Sequence, residues 1–144
     1  MQGIEITTNS DEETRNFAKG LLKELKPGDI LALEGDLGGG KTTFTQGLLS
    51  AIGIKEKITS PTFLIIKKYK LVRKKQFSEI FHIDFYRIED SKETEYLGIQ
   101  EIFEHKSALI IIEWADRVKN IIPKRAIWVK FKFVSENKRL ITVK

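Results

Sequence analysis

Short apolar runs bounded by turn residues mark the predicted strands of this chain. Residues 30–33, Ile-Leu-Ala-Leu, follow a Pro-Gly-Asp turn, and residues 109–112, Leu-Ile-Ile-Ile, form the strongest run. Unbroken apolar runs of this length are typical of strands that are buried on both faces of a sheet. Weaker alternation predicts a short first strand over residues 4–7 and two hairpins, built from residues 63–69 with 77–86 and 126–134 with 140–143.

Apolar positions that recur every three or four residues predict helices between these strands. The first helix is predicted over residues 11–25 and is ended by Pro27. Three further helices are predicted over residues 42–52, 91–104 and 115–122. Gly98 is a weak point inside the third of the four. Buried strands separated by helices indicate an α/β fold with a mostly parallel central sheet, which is flanked by helices and extended by added antiparallel hairpins.

Length and composition fit one compact domain. Of the 144 residues, 41% are hydrophobic and 31% are charged, which excludes a disordered chain, and no linker or repeat divides residues 1–144. The absence of cysteine excludes a disulfide scaffold, a thiolate metal site and a cysteine nucleophile. No stretch has the pattern of a signal peptide or a membrane span, so we expect a cytoplasmic protein without membrane association.

Charge is unevenly placed along the chain. Residues 1–66 carry seven Lys or Arg and nine Asp or Glu, whereas residues 67–144 carry eighteen and eleven. Six of the nine residues in the basic segment 67–75 are Lys or Arg, between the two strands of the first predicted hairpin. This segment could bind nucleic acid, or it could be a solvated sheet edge that deters aggregation. Tyr69 is its single aromatic residue, so base stacking is not supported.

A glycine-rich segment between a predicted strand and a predicted helix carries the clearest chemistry. It matches the pattern G-x-x-x-x-G-K-[ST] through Gly35, Asp36, Leu37, Gly38, Gly39, Gly40, Lys41 and Thr42. Glycines let the backbone approach a polyphosphate, and successive N–H groups at a helix N-terminus attract its charge. Lys41 would pair with the β- and γ-phosphates, and the Thr42 hydroxyl is suited to Mg²⁺. The segment therefore predicts a nucleotide site and makes the α/β fold P-loop NTPase-like.

A metal in such a site needs a further acid, and two residues in predicted strands are candidates. Glu113 directly follows the strongest apolar run, at the edge where open α/β sheets bind ligands. Asp84 lies on another strand and shares a face with His82. His82 and His105 lack a metal-ligand spacing, so we expect structural roles for both. The chain also lacks an N-K-x-D pattern that would read guanine, which favours adenine and hence ATP.

Five short pieces of the sequence have a distinctive order and spacing. They are Gly-Asp-Leu-Gly-Gly-Gly-Lys-Thr-Thr at 35–43, Ser-Pro-Thr-Phe at 60–63, His-Ile-Asp-Phe-Tyr-Arg at 82–87, Leu-Gly-Ile at 97–99 and Ile-Glu-Trp at 112–114. Their combination resembles the bacterial TsaE family, also called YjeE. The resemblance extends over nearly the full chain, from the first predicted helix to the strand that ends in Glu-Trp.

The resemblance implies a small ATPase that serves tRNA modification. TsaE proteins work with a TsaB–TsaD pair, which transfers a threonylcarbamoyl group to the adenosine next to the anticodon of tRNAs that read codons beginning with A. TsaE does not make or transfer this group, and its ATP binding and hydrolysis reset or sustain turnover of the pair. The resemblance thus implies ATP and Mg²⁺ as cofactors, TsaB and TsaD as partners, contact with tRNA through the complex, and weak hydrolysis by the protein alone.

By position, the resemblance also implies roles for individual residues. Lys41 and the backbone amides of residues 35–43 would bind the phosphates. Thr42 and Glu113 would hold Mg²⁺. Asp84 corresponds to an acid that is required for activity near the metal and the γ-phosphate. Together these residues would form the catalytic part of the site.

Other positions correspond to the rim of the family's nucleotide site. Trp114 corresponds to an aromatic residue near the nucleotide or would simply pack in the core, and Asp11 corresponds to the first-helix region near the base. Thr62, in a Ser-Pro-Thr loop, would sense the γ-phosphate or would simply begin a strand. Two positions depart from the family pattern: Gly39 stands where Ala is commoner, and Asp116 supplies a shorter acid after Glu-Trp.

Two other function classes stay open at the level of sequence. A small-molecule P-loop kinase would need a substrate pocket and a lid rich in arginine, and the basic segment 67–75 is poorly placed as a lid. A nucleic-acid-binding module would use the same segment directly. Arg87 is a candidate arginine finger, although a salt bridge would explain it equally well. We therefore expect slow ATP hydrolysis until a partner completes the site.

Overall fold

One mixed β-sheet forms the centre of the molecule. The structure is a computed structural model that describes residues 3–36, 38–56, 66–71 and 76–144. Within these residues the strands are β1 (Ile4–Thr8), β2 (Ile30–Gly35), β3 (Ile66–Lys70), β4 (Glu79–Asp84), β5 (Leu109–Glu113), β6 (Ile127–Phe133) and β7 (Arg139–Val143). They form a single sheet in the order β1-β7-β6-β2-β5-β4-β3.

Helices connect these strands and cover the sheet. The α-helices of the described residues are α1 (Asp11–Leu21), α2 (Lys41–Ile52) and α3 (Ile99–Phe103), and short 3₁₀ helices span Leu22–Glu24, Ser91–Leu97 and Ala115–Ile121. Within the described ranges, the structure contains no helix with the length and apolar character needed to cross a membrane.

The strand directions confirm the predicted fold class. In the centre of the sheet, β2 pairs in parallel with β5 and with β6, and β4 pairs in parallel with β5. The added strands are antiparallel: β3 pairs with β4, β7 with β6, and β1 with β7. The protein is therefore an α/β fold with a parallel centre and antiparallel hairpins at its edges.

Both faces of the central strands are buried. Leu31 and Leu33 of β2 belong to one hydrophobic cluster, which α1 and α2 help to form. Ile30 and Ala32 belong to a second cluster, which contains residues of α3 and of the 3₁₀ helix at Ala115–Ile121. Because successive strand residues point to opposite faces, a strand between two layers must be apolar throughout. This explains why residues 30–33 form an unbroken apolar run.

Two predicted helices differ from the structure in type. The predicted helix over residues 91–104 is a 3₁₀ helix followed by α3, because Gly98 between them has a φ of 68°. The segment after Trp114 is 3₁₀ over Ala115–Ile121 and is kinked at Val118, where φ is −132°. Gly98, the weak point of the first of these two predicted helices, is where that helix is interrupted, whereas the kink at Val118 was not predicted. Residues 63–65 of the first predicted hairpin lie outside the described residues.

The parallel strands end together at one edge of the sheet. In β5, Glu113 lies beside Leu33 of β2 on one side and beside Asp84 of β4 on the other. Gly35 ends β2 at the same edge, next to Phe131 of β6. The carboxyl ends of parallel strands therefore bring the glycine-rich segment and both predicted acids together, as expected for an open α/β sheet.

Candidate functional site

The glycine-rich loop makes a tight turn between β2 and α2. Gly35 has a φ of 145°, and a Cβ atom built there would lie 2.3 Å from the carbonyl oxygen of Phe131. The Gly39 N–H donates to the carbonyl oxygen of Asp36 at 2.9 Å. At Gly39 a Cβ would approach that same oxygen to 2.9 Å, so an alanine there would require a small shift of the turn. Leu37 lies outside the described residues.

The N-terminus of α2 faces the loop and is suited to an anion. Its N-cap is Gly40, which has a φ of 105° and therefore the left-handed conformation that glycine adopts readily. As a glycine, this N-cap residue has no side chain that could cap the first turn. The first N–H groups of a helix lack intrahelical partners, and the helix dipole places partial positive charge there. The end of α2 can therefore bind phosphate through its backbone.

Lys41 is buried at the mouth of the loop. Its Nζ donates to the carbonyl oxygens of Gly35 at 2.6 Å and of Asp36 at 2.8 Å. Burial lowers the pKa of Lys41, and the nearby carboxylates of Glu113, Asp116, Asp36 and Asp84 oppose this shift without cancelling it. The ammonium group therefore lies in a partly desolvated setting, where its attraction for phosphate is stronger than in water.

Thr42 and Glu113, the two residues expected to hold a metal, are joined by a hydrogen bond. The Thr42 hydroxyl donates to Glu113 Oε1 at 3.1 Å, across 71 positions of sequence. The other carboxylate oxygen, Oε2, lies 2.6 Å from Nε2 of His82. His82, Glu113 and the Thr42 hydroxyl thus form one chain of hydrogen bonds from β4 through β5 to α2. His82 is fully buried, and Glu113 is 2% exposed.

Asp84 ends β4 directly beside Glu113. Its side chain is buried, and Oδ1 accepts a hydrogen bond from the Tyr86 N–H at 2.8 Å. Two carboxylates therefore occupy neighbouring strand ends and border the same cavity, together with the Thr42 hydroxyl. Carboxylate and hydroxyl oxygens are hard ligands of the kind that Mg²⁺ prefers, and Mg²⁺ is commonly held by one or two carboxylates together with phosphates. The residues present therefore fit a magnesium ion beside a nucleotide.

Trp114 has an unusual backbone conformation at the edge of the site. Its φ of 59° and ψ of 36° lie in the left-handed region, which is uncommon for residues other than glycine. The indole ring lies 4.1 Å from Lys41 Nζ and 5.1 Å from Cζ of Arg117, measured to the ring centroid. Tyr86 packs against it with 5.2 Å between ring centroids. This conformation turns the chain at the end of β5 and directs the ring toward the lysine.

A cavity of about 450 Å³ lies between these groups, within the size range of small-molecule sites. Its wall contains predicted site residues from α1, α2 and the strand ends, namely Asp11, Gly38, Gly40, Lys41, Thr42, Thr43, Asp84, Glu113 and Trp114. Tyr86 and Arg139 complete the wall. Of the remaining loop residues, Gly35, Asp36 and Gly39 do not line the cavity, and Leu37 lies outside the described residues. The structure thus brings most of the predicted site residues to one place.

Sequence reasoning did not identify Arg139 as a site residue. Its Nε donates to the carbonyl oxygen of Gly38 at 3.0 Å, and its Nη1 donates to the carbonyl oxygen of Ser135 at 2.7 Å. The guanidinium also lies over Phe133, 4.6 Å from the ring centroid. Arg139 stands in the closing hairpin, where no motif was recognised. Its position depends on a contact between residues 101 positions apart, for which the local pattern has no signal.

Other predicted residues lie away from the cavity or outside the described part of the chain. Arg87 is exposed and does not contribute to the cavity wall. Asp116 is also exposed, and its charge acts on Lys41 at a distance. Thr62 and its loop are not among the described residues. Of the basic segment, residues 67–71 are described, and Lys68 forms an ion pair with Glu79 at 2.9 Å.

Comparisons with known proteins relate the chain to one family. The family model described as threonylcarbamoyl adenosine biosynthesis protein TsaE matches residues 8–141. The tRNA threonylcarbamoyladenosine biosynthesis protein TsaE of Bacillus subtilis is 39% identical over 142 residues, which covers 99% of this chain and 85% of that protein. The protein of the same name from Rickettsia typhi is 40% identical over 139 residues, which covers 96% of this chain and 92% of the relative.

A solved structure has the same fold. The crystal structure of Bacillus subtilis YdiB superposes with a TM-score of 0.80 at 33% sequence identity, and the match covers 99% of this chain and 84% of that chain. The family model and the relatives extend over the loop, both strand-end acids and Trp114, which are the residues that form the cavity. The chain therefore belongs to the TsaE family of threonylcarbamoyl adenosine biosynthesis proteins.

Proposed function

We propose that this protein binds and hydrolyses ATP with Mg²⁺ in the cavity at the end of the parallel strands, and that it acts in forming threonylcarbamoyladenosine in tRNA. The main observation in support is the hydrogen bond from Thr42 to Glu113 beside the glycine loop and Lys41. This contact supports the proposal because P-loop proteins hold their metal with a hydroxyl and a carboxylate. The names of the relatives support the assignment to tRNA modification.

In the proposed reaction the protein chiefly positions the reactants and neutralises charge. The backbone amides at the start of α2 would bind the phosphates, and Lys41 would exchange its carbonyl partners for phosphate oxygens. Thr42 and Glu113 would hold the metal. When bound, Mg²⁺ would neutralise part of the negative charge on the phosphates. Water would attack the γ-phosphorus, the bond to the bridging oxygen would break, and the products would be ADP and inorganic phosphate.

We propose that Asp84 acts on the attacking water. It is buried beside Glu113, and its Oδ1 is held by the Tyr86 N–H. A carboxylate fixed in this way at the cavity wall can orient a water molecule as a hydrogen-bond acceptor. We therefore assign Asp84 the positioning of water near the metal and the γ-phosphate. Trp114 would border the nucleotide beside Lys41.

Hydrolysis by the protein alone should be slow. Fast phosphoryl transfer commonly uses an arginine that stabilises the transferring group. Arg139 is engaged by backbone carbonyl oxygens, and Arg117 lies over the rings of Trp114 and Tyr86. We propose that a TsaB–TsaD pair completes the site in the cytoplasm, and that ATP turnover in turn sustains threonylcarbamoyl transfer to adenosine next to the anticodon of tRNAs that read codons beginning with A.

The proposal is tested by combining the protein with the TsaB–TsaD pair of the same organism. ATP hydrolysis and tRNA modification would be measured with the wild type, Lys41→Ala and Glu113→Ala, and with Lys19→Ala in the last turn of α1 as a control. We expect the pair to stimulate hydrolysis by the wild type and by the control, but not by the two site variants. Absence of stimulation would contradict the assigned role, and phosphate transfer to a metabolite would indicate a kinase instead.

A further inference from the structure

His82 is a buried polar group with no direct part in the proposed chemistry. It stands on β4, two residues before Asp84, and its side chain is fully buried. Its ring does not reach the cavity wall, whereas Glu113, its hydrogen-bond partner, does. A polar side chain in the interior costs free energy unless it is hydrogen-bonded, so its contact with Glu113 is the feature to explain.

Glu113 is held at both carboxylate oxygens by residues of two other elements. Oε1 accepts the hydroxyl of Thr42 at 3.1 Å, and Oε2 lies 2.6 Å from His82 Nε2. A glutamate side chain has three rotatable bonds, and their freedom must be restrained if both oxygens are to keep one orientation. The contact with Thr42 involves the hydroxyl that would also bind the metal. The contact with His82 comes from the protein interior and involves no ligand of the nucleotide site.

The direction of the hydrogen bond follows from the surroundings of the ring. His82 Nδ1 is buried and forms no hydrogen bond with any described residue. A proton on Nδ1 would bury an unpaired N–H donor, whereas a proton on Nε2 donates to the carboxylate and leaves only a lone pair at Nδ1. Nε2–H is therefore the donor, and Glu113 accepts from both of its partners.

We propose that His82 is a positioning residue for the metal-binding acid. By donating from Nε2 to Glu113 Oε2, it holds the carboxylate in the orientation in which Glu113 and Thr42 together bind Mg²⁺. The inference rests on the proposed function, because it assigns His82 to the same magnesium site. Groups that orient metal ligands through hydrogen bonds typically affect metal affinity by about 10- to 100-fold.

The proposal predicts a selective loss of magnesium-dependent binding. Calorimetry would compare ATP binding with Mg²⁺ and with EDTA for the wild type, His82→Leu and His82→Gln. In His82→Leu we expect the gain in affinity from Mg²⁺ to fall by about 10- to 100-fold, with binding in EDTA unchanged. His82→Gln should recover most of this gain, because its amide can donate a hydrogen bond from a similar position. A purely structural role would lower binding equally in both conditions.

His105→Gln is the matched control. Its Nε2 also lies 2.6 Å from a glutamate oxygen, that of Glu79, but at the opposite end of β4. The control should keep the full effect of Mg²⁺. If Mg²⁺ raised the ATP affinity of the wild type and of a folded His82→Leu variant equally, the inference would be overturned while the proposed function would stand. A wild-type protein whose ATP binding ignores Mg²⁺ would overturn both the inference and the proposed function.

A measurement on the natural protein tests the inference without any substitution. Long-range ¹H–¹⁵N NMR correlations distinguish the two imidazole tautomers. We expect His82 to carry its proton on Nε2, and the resonances of its ring to shift when Mg²⁺ is added to the ATP-bound protein. A proton on Nδ1, or ring resonances that do not respond to Mg²⁺, would overturn the inference even if His82→Leu fails to fold.

Discussion

Two histidine–glutamate pairs lie at opposite ends of the same parallel strands. At the cavity end, His82 Nε2 lies 2.6 Å from Glu113, and at the far end, His105 Nε2 lies 2.6 Å from Glu79. The side chains of the first pair are 0% and 2% exposed, and those of the second pair are 34% and 14% exposed. The two pairs therefore share their chemistry and their distance but differ in their contact with water.

The outer pair belongs to a surface cluster. Glu79 also pairs with Lys68 at 2.9 Å. Burial alone would raise the pKa of Glu79, but the hydrogen bonds and charges of Lys68 and His105 outweigh this and hold the pKa below its ordinary value. Exposed ion pairs contribute little to stability because water screens them, whereas a buried pair is costly to break. Burial therefore determines which of the two pairs can hold its glutamate carboxylate in one orientation.

The largest effect is expected from Lys41→Met at the cavity end. In the presence of the proposed TsaB–TsaD pair, ATP hydrolysis by the variant should fall about a thousandfold, because the variant loses a charge directed at the reacting phosphate. The free energy of unfolding should change by less than about 1 kcal/mol, since the cost of burying this charge offsets its two hydrogen bonds to carbonyl oxygens. A phosphate-release assay and urea unfolding measure the two quantities. Lys119→Met, which alters an exposed pair with Glu34, serves as the control and should change neither.

A comparison of Glu113→Gln with Glu79→Gln tests the difference between the two ends directly. The first substitution should lower ATP hydrolysis about a hundredfold, because an amide is a weaker metal ligand and its NH₂ group faces either Thr42 or His82. The second should leave hydrolysis unchanged. Steady-state kinetics across a range of Mg²⁺ concentrations measures both effects. Equal activities in the two variants would show that the buried pair has no special part in the reaction.

Gly35, the last residue of β2, and Gly28, two residues before its start, extend the comparison to the backbone. Gly35→Ala should lower the free energy of unfolding by about 2 kcal/mol or more, because its Cβ would lie 2.3 Å from the Phe131 carbonyl oxygen at a φ of 145°. At the far end, a Cβ on Gly28 would lie 3.1 Å from the Lys106 carbonyl oxygen at a φ of 91°, so Gly28→Ala should cost about 1 kcal/mol. Chemical denaturation compares the two, and the reverse order would contradict the geometry of the loop.

The smallest effect is a pH dependence at the outer pair. Because the pKa of Glu79 is lowered on folding, its ion pairs stabilise the protein above the ordinary value of 4.5, and this contribution is lost as the pH falls through the folded value. Glu79→Gln should therefore cost less than about 1 kcal/mol at neutral pH. Urea unfolding of both proteins should give curves that differ near pH 7 and converge in acid. A difference that grows in acid would contradict the assigned sign.

Local patterns predicted the parts of the fold that depend on neighbours in sequence. The apolar runs at residues 30–33 and 109–112 became β2 and β5, because strands covered on both faces must be apolar throughout. The glycine-rich motif identified the loop and the start of α2. Periodicity did not reveal the kink at Val118, and it marked Gly98 only as a weak point, because a change of backbone conformation at a single residue leaves the apolar repeat around it intact.

The sequence by itself determined the loop, its lysine and hydroxyl, and acids at two strand ends, since each depends on a short motif or on the end of one apolar run. Only the tertiary structure decided that His82 contacts Glu113 and that Arg139 contacts the Gly38 carbonyl. These contacts depend on the order and register of strands, which residues far apart in the chain establish together. Hydrophobic periodicity specifies which face of a strand is buried but not which strand lies beside it.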